Sequence, residues 1–298
     1  MNNIMKECRL CPRNCGVDRT KAVGFCGVGE KIKVARAMLH HWEEPPISGE
    51  MGSGAVFFSG CNLKCCFCQN KEISCEHIGK EISIDELAGL FLKLQEMGAE
   101  NINLVTAGHY VPQVIYALKI AKPQLNIPIV YNTSSYEKTE TLKMLEGYVD
   151  VYLPDFKYVS SQMGKKYSNA PDYFEVASKA IKEMHRQVGN NVYDDRGMLK
   201  KGMIIRHLIM PGGYKDSFEV LKYISDSFDT EKILVSVMSQ YTSQGVSEYK
   251  ELNRRLYTME YQKVLDLAEK LNINGFMQDK ESAKPDFTPE FTSQNILF

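Results

Sequence analysis

From Gly54 onward, short β-branched or aromatic runs alternate with longer amphipathic ones, and this alternation limits the fold more than any other feature of the sequence. Strand-like runs fall at residues 55–58, 102–105, 127–131, 149–153, 203–209 and 233–237. Helical patterns occupy 83–98 and stretches near 114–121, 137–145, 173–186, 218–228 and 258–271. The first is the best signalled: Ser83 and Glu86 make a capping-box pair, and Leu87, Leu90, Phe91 and Leu94 recur at helical spacing up to Gly98. Strand and helix in strict succession predict an α/β fold, a parallel sheet with crossover helices. Six such units in about 230 residues suit a partial, TIM-like (β/α)6 barrel, and a doubly wound sheet is the alternative. In a barrel, side chains at the carboxyl ends of the strands face one mouth. That rule selects the residues after Phe58 and after Val105, Asn132, Asp155 with Lys157, and the segment from Arg206 to Pro211.

Nine cysteines all lie between Cys8 and Cys75 in a chain of 298 residues. A secreted disulfide scaffold would be shorter and denser in cysteine, so the clustered thiols read as metal ligands in a reducing compartment. The start, MNNIMKECRLC, holds no signal-peptide core, and no run reaches membrane-spanning length, which predicts a cytoplasmic protein without a membrane partner. With 36 basic against 37 acidic side chains, electrostatic capture of nucleic acid is not expected. The organisation expected is a cysteine-rich cap and strap over 1–50, the partial barrel over 51–280 and a polar tail over 281–298.

Cys61, Cys65 and Cys68 stand in the pattern CxxxCxxC directly after the first strand-like run. One loop with those gaps can place three thiolates on three irons of a cubane and leave the fourth iron open. An open iron can chelate the amino and carboxylate groups of a methionine derivative. A zinc knuckle is the competing reading and needs a fourth ligand from Cys66 or Cys75; Cys66 also permits a 61/66/68 register. Upstream, Cys8, Cys11, Cys15 and Cys26 form a second metal site by spacing alone, able to close around zinc or a second iron-sulfur cluster.

The triplet, with the aromatic Phe67 directly before its third cysteine, resembles the signature of the radical S-adenosylmethionine (SAM) superfamily. The resemblance implies a [4Fe-4S] cluster on Cys61, Cys65 and Cys68 that reductively cleaves SAM to a 5′-deoxyadenosyl radical, which takes hydrogen from a substrate. It also implies cofactor contacts. The turn Leu104–Pro112 corresponds to the family's glycine-rich turn, where Thr106 and Gly108 would offer backbone groups, although His109 replaces the usual acid. Asn132 resembles a Thr-Asn-Gly element. Asp155 and Lys157 match an Asp-Leu-Lys element and would bind a ribose hydroxyl and the SAM carboxylate. Arg206 sits in a stretch similar to an Arg-Tyr-Val-Val-Pro-Gly strand and would bind a carboxylate. Met238 and Gln240–Tyr241 would close the adenine side. Plainer readings stand beside these: a capping turn at 106–108, a turn-forming Asn132, a surface ion pair for Asp155 and Lys157, and a strand-to-helix pair for Arg206; in His40-His41-Trp42 the histidines are expected to pack rather than coordinate, with substrate contact as the other role of the stretch.

From Cys8 to about Phe287 the chain resembles the uncharacterised subgroup related to pyruvate formate-lyase-activating enzyme. It departs from the activators in the altered turn, in lacking a ferredoxin-like insert after Cys68, and in carrying its extra cysteines upstream. The expected function is hydrogen abstraction from a protein or peptide, with a flavodoxin- or ferredoxin-type reductant. The alternatives are the same chemistry on a small metabolite, or a non-catalytic iron-sulfur or zinc-binding carrier. No residue is assigned as catalytic from sequence.

Overall fold

Helix formation follows the local signals. The Ser83 hydroxyl accepts the Glu86 N–H at 3.1 Å while Glu86 Oε2 accepts the Ser83 N–H at 2.7 Å, so two of the unpaired donors at the helix start are satisfied reciprocally. The structure, a computed structural model, describes residues 2–243, 248–277, 289 and 291. In chain order its first half comprises α1 (Asn2–Lys6), β1 (Ile32–His40), α2 (Pro45–Ser48), β2 (Ser53–Phe58), α3 (Lys71–Ser74), β3 (Lys80–Ile82), α4 (Ile84–Glu96), β4 (Ile102–Val105), α5 (Val111–Ala121) and β5 (Ile129–Thr133). There follow α6 (Thr139–Lys143), β6 (Val151–Pro154), α7 (Ser161–Ser168), α8 (Tyr173–Val188), β7 (Val192–Tyr193), β8 (Leu199–Leu208), α9 (Tyr214–Ser227), β9 (Leu234–Met238), α10 (Thr258–Lys270) and β10 (Gly275–Met277).

Among the described residues the strands form one sheet in the order β10-β9-β8-β6-β5-β4-β2-β1-β3, with β7 attached to β8. The run from β2 to β10 is parallel throughout, whereas β1 pairs antiparallel with both β2 and β3. Because the parallel strands succeed one another without the reversal a doubly wound sheet requires, the architecture is the partial barrel. Strands β2, β4, β5, β6 and β9 are buried at every position, the condition under which a strand reads as a continuous apolar run.

Alternate strand residues serve two layers. Val56, Leu104, Tyr131, Tyr152, Ile205 and Val235 join the core shared with the helices. Their neighbours Val130, Val151, Leu153, Ile204 and Leu234 face the other side and pack with Ile47 of α2. Pro45 starts α2, and the Ser48 hydroxyl donates to the Glu43 carbonyl at 3.0 Å. The short helix thus turns inward and fills one end of the barrel interior.

Three differences from the sequence reading have local causes. β1 lies within the stretch read as cap and strap, yet it joins the sheet, because Ile32, Val34, Ala35 and Ala37 are buried along it. α6 spans five residues rather than the longer pattern, since Ser135 adopts φ +64 and Glu137 is buried just ahead of it. β10 adds a seventh parallel strand after the sixth helix of the repeat. The tail expected over 281–298 lies outside the described residues except for Pro289 and Phe291, whose ring meets Phe57 edge-on at 5.5 Å. No helix among the described residues is long and apolar enough to cross a membrane.

Ile47, 1% exposed, is the apolar plug of the inner layer. Ile47→Ala is expected to lower the unfolding free energy by about 2–5 kcal/mol, because it opens a cavity that strand backbones cannot close. Urea denaturation checks this; a loss below about 1 kcal/mol would show that the barrel end is not filled by α2.

Candidate active site at the barrel mouth

β2 ends at Phe58, and Gly60, at φ +91, turns the chain into the cysteine loop across the mouth. The loop is held at many points. The Asn62 amide donates to the Tyr136 carbonyl at 2.7 Å, and the Cys66 N–H to the Tyr167 carbonyl at 2.9 Å. Phe67 is buried edge-on to Tyr158 and tilted against Tyr241, so it anchors the loop to the barrel wall. Cys65 Sγ lies 3.0 Å from Ser168 Oγ, and the Ser74 hydroxyl donates to Cys68 Sγ at 3.4 Å. Burial pushes the Cys65 thiol up to about 12, against the pull of Lys157, and pushes Cys68 up to about 11, with Cys61 adding to the rise. Each thiol therefore gives up a proton when it takes a metal. Cys66 is exposed and lies outside the cavity that Cys61, Cys65 and Cys68 line, which removes the 61/66/68 register.

That same cavity is lined by Thr106, Asn132, Asp155, Lys157 and Arg206. Asp155, one residue past β6, is bridged to Arg206 of β8, and Asn132 is the penultimate residue of β5. Arg206 is the hub. Its Nε donates to Asp155 Oδ1 at 2.9 Å, Nη2 to Asn132 Oδ1 at 2.6 Å and Nη1 to Glu43 Oε2 at 3.3 Å. Lys157 Nζ donates to the other Asp155 oxygen at 2.7 Å. Burial would raise the Asp155 carboxyl, but Arg206 and Lys157 outweigh it and hold the group below the usual carboxylate range. The alternatives of a surface pair for Asp155–Lys157 and a helix partner for Arg206 both give way: the side chains are only 14–18% exposed, and Arg206 pairs with a neighbouring strand end and the strap.

Thr106 occupies φ +61, a left-handed conformation that a β-branched residue rarely adopts, and its N–H donates to the Asn132 carbonyl at 2.9 Å. The strain turns the backbone beyond β4 toward the cavity. Gly108 is not brought there. It lies behind the wall, where a side chain would collide with the Glu137 carboxylate, which Thr133 Oγ1 donates to at 2.8 Å and burial pushes up to about 7. His109 is buried too, its Nε2 2.8 Å from the Ser59 carbonyl, and it is not among the residues lining the cavity.

Sequence reasoning assigned neither Glu43 nor Trp42 to the cofactor site. The strap carries both into the cavity lining, and Glu43 Oε1 accepts from Asn103 at 3.0 Å and from Asn132 at 3.3 Å. Burial raises the Glu43 carboxyl in spite of Arg206. The available signal was the acidic pair placed directly before Pro45–Pro46, which start a helix pointing inward. Met238 and Gln240 also line the cavity, whereas Tyr241 is buried behind it and donates to the Leu252 carbonyl at 2.8 Å.

The upstream cysteines are gathered in the cap. Cys8, Cys11 and Cys26 are buried and Cys15 is exposed. Burial pushes the Cys11 thiol up to about 12, with Cys26 and Cys8 nearby adding to the rise. Cys26 Sγ and Cys15 Sγ flank Gly24, 3.4 and 3.5 Å from where its Cβ would stand. Among the described residues no three His, Cys, Asp or Glu side chains converge as the ligands of a single metal ion do. Thiolates on separate irons of a cluster need no such convergence.

The chain matches the family model described as the radical SAM superfamily over residues 55–195. It is 34% identical over 282 residues to an uncharacterised protein of Methanocaldococcus jannaschii, covering 91% of this chain and 77% of that protein. Its fold is similar to that of Streptococcus suis SuiB bound to the precursor peptide SuiA, with a TM-score of 0.50 and 15% identity over 78% of this chain and 51% of SuiB, so the chain spans about half of that protein. A domain of pyruvate-formate lyase-activating enzyme from Bacteroides vulgatus aligns with a TM-score of 0.42 and 13% identity, covering 57% of this chain and 92% of the domain.

Removing the Arg206 guanidinium leaves Glu43 without a cationic partner and Asp155 with Lys157 alone, so Arg206→Met is expected to cost about 3–5 kcal/mol of unfolding free energy at pH 7. Without Arg206, the Glu43 carboxyl, already raised by burial, would titrate higher still and hold a proton the unfolded chain has lost, while Asp155 keeps Lys157. The variant should therefore recover more stability than the wild type as pH falls from 7 toward 5, because Arg206 no longer holds the Glu43 carboxyl down. Denaturant titrations at the two pH values decide it: a loss independent of pH would mean the carboxylates are not desolvated.

Proposed function

Because the chain belongs to the radical SAM superfamily, we propose that its barrel mouth holds a [4Fe-4S] cluster on Cys61, Cys65 and Cys68, and SAM against Thr106, Asn132, Asp155, Lys157 and Arg206. The observation that carries this reading is that one cavity is lined by those three thiols, by no other cysteine, and by the polar groups a zwitterionic nucleoside needs. The residues fit the groups. Three half-buried thiols can take three irons, and the Lys157 ammonium, which acts electrostatically on all three, spends one donor on Asp155 and keeps the rest for a carboxylate. Thr106 turns backbone groups inward for an ammonium, and Asp155 keeps acceptor capacity for a ribose hydroxyl.

The chemistry such a site supplies is one-electron reductive cleavage of SAM to a 5′-deoxyadenosyl radical that takes hydrogen from a substrate. The chain's own work is positional. The Arg206–Asp155 pair fixes Lys157 beside the thiols, while Phe57, Leu63, Phe67 and Met238 give the cavity apolar walls that keep water from a reactive carbon. Glu43, with its raised carboxyl, supplies a neutral or anionic hydrogen-bonding group on the strap side.

For the substrate we favour a protein or peptide, with chemistry of the glycyl-radical-activase kind; the precursor peptide bound to SuiB, whose fold this chain shares in part, supports that preference. The reductant would be a flavodoxin- or ferredoxin-type carrier. Cys8, Cys11, Cys15 and Cys26 would hold a second metal, as zinc or iron-sulfur.

Anaerobically loaded with iron and sulfide, then given dithionite and SAM, the protein should form 5′-deoxyadenosine, and Cys61→Ala should form none. Lys157→Met should weaken SAM binding by about ten- to a hundredfold, the effect of losing a charged hydrogen bond of about 1.5–3 kcal/mol. Absence of the product from fully loaded protein rejects the reading. Deuterium reaching 5′-deoxyadenosine from the macromolecular fraction of a deuterium-grown lysate supports a protein target; transfer from the small-molecule fraction assigns a metabolite instead.

A further inference from the structure

The two sets of cysteines touch through their backbones. The Cys61 N–H donates to the Cys26 carbonyl at 3.2 Å, so the last cysteine of the quartet and the first of the triplet are hydrogen-bonded to each other. Gly60 permits the approach: it sits at φ +91, and a Cβ there would stand 2.7 Å from the same Cys26 oxygen. The path from one sulfur to the other follows covalent bonds except at that hydrogen bond. Arg13, between Cys11 and Cys15, grips the triplet's surroundings as well. Its Nε donates to the Asn62 carbonyl at 2.8 Å, and its Nη2 to the carbonyl of Ser168, whose hydroxyl meets Cys65.

A second observation points to negative charge in the quartet. Arg19 is 2% exposed and has no carboxylate partner among the described residues. Its guanidinium donates to the Gly29 carbonyl at 3.0 Å, to the His109 carbonyl at 2.5 Å and to Cys8 Sγ at 3.9 Å. An arginine stays charged, and burying it without an anion costs several kcal/mol. Four metal-bound thiolates carry net negative charge, and Cys8 Sγ is where Arg19 would meet it. The sulfurs do not converge as those of a tetrahedral zinc must, at about 3.8 Å from one another for Zn–S bonds of 2.3 Å. Zinc, having no redox chemistry, would also leave the Cys26–Cys61 contact purely structural.

We infer that Cys8, Cys11, Cys15 and Cys26 hold a redox-active iron-sulfur cluster, and that the Cys26–Cys61 hydrogen bond passes single electrons from it to the triplet. The inference rests on the proposed reading of the triplet as a cluster site. A one-electron carrier protein is oxidised at the exposed Cys15 edge as the quartet is reduced; the quartet is reoxidised as the electron crosses to the triplet. No bond or proton is exchanged in either transfer.

Full-length protein loaded anaerobically should hold about eight irons, and a Cys61→Ser/Cys65→Ser/Cys68→Ser variant about four. In the doubly reduced wild type, EPR should show magnetic interaction between the two signals, absent from that variant. SAM should alter the wild-type spectrum and leave the variant's unchanged. With a reduced flavodoxin as donor, Cys15→Ser should slow reduction of the triplet by about tenfold or more, equivalent to about 1.4 kcal/mol of barrier, while dithionite still reduces it. Gly60→Ala, which pushes the backbones apart, should slow the same transfer without loss of iron. Zinc in the quartet, two clusters without magnetic interaction, or a triplet variant devoid of iron beside a SAM-responsive wild type each overturns the inference alone. A wild-type spectrum indifferent to SAM would instead count against the proposed function.

Discussion

One buried guanidinium sets the geometry of the barrel mouth. Arg206 joins the ends of β8 and β6 through Asp155, β5 through Asn132, and the strap through Glu43. Buried charges of this kind hold their places because removing any partner leaves another uncompensated in a poorly solvated interior. Asp155 in turn fixes Lys157, and Lys157 is the cation that faces the cysteine loop. The order runs from strand register to ion pair to the position of a single ammonium group beside three thiols.

The parallel sheet makes that arrangement accessible. Successive strands end on one side, so residues far apart in sequence share a rim, while the strap closes the interior from the opposite side with Ile47. Apolar burial supplies most of the stability, and the polar residues collect at the one end where backbone pairing stops. The cap adds a further layer by direct bonding, to the loop it covers through Arg13 and the Cys26 carbonyl, and to the turn after β4 through Arg19 and the His109 carbonyl. Cap and loop are thereby bonded to each other around the cysteines.

The legible part of the fold was the part whose residues announce their surroundings locally. Fully buried parallel strands appear as β-branched runs, α4 is framed by its own capping box, and the Cys61–Cys65–Cys68 spacing lies within one loop. Asn132, Asp155 and Arg206 could be placed at the mouth because strand ends were already located. β1 escaped because its burial pattern is irregular, with a register shift between Val34 and Arg36, and because glycines and cysteines precede it. Glu43 escaped because the prolines after the acidic pair mark a helix start, while the inward turn of that helix is set by Ile47 packing against distant strands. Gly108 was read for backbone exposure, when the space beside it belongs to the Glu137 carboxylate.

By itself the sequence determined the repeated strand–helix units, the triplet and its aromatic neighbour, and the identity of the charged residues at the strand ends, since each depends on residues close together along the chain. Tertiary structure alone decided that Arg206 would take Asp155 and Glu43 as partners, that Cys66 would face solvent, and that Cys26 would be bonded to Cys61. Those outcomes depend on distances between segments tens to more than a hundred residues apart, which are set by the packing of the whole barrel and leave no periodic or compositional trace in any one segment.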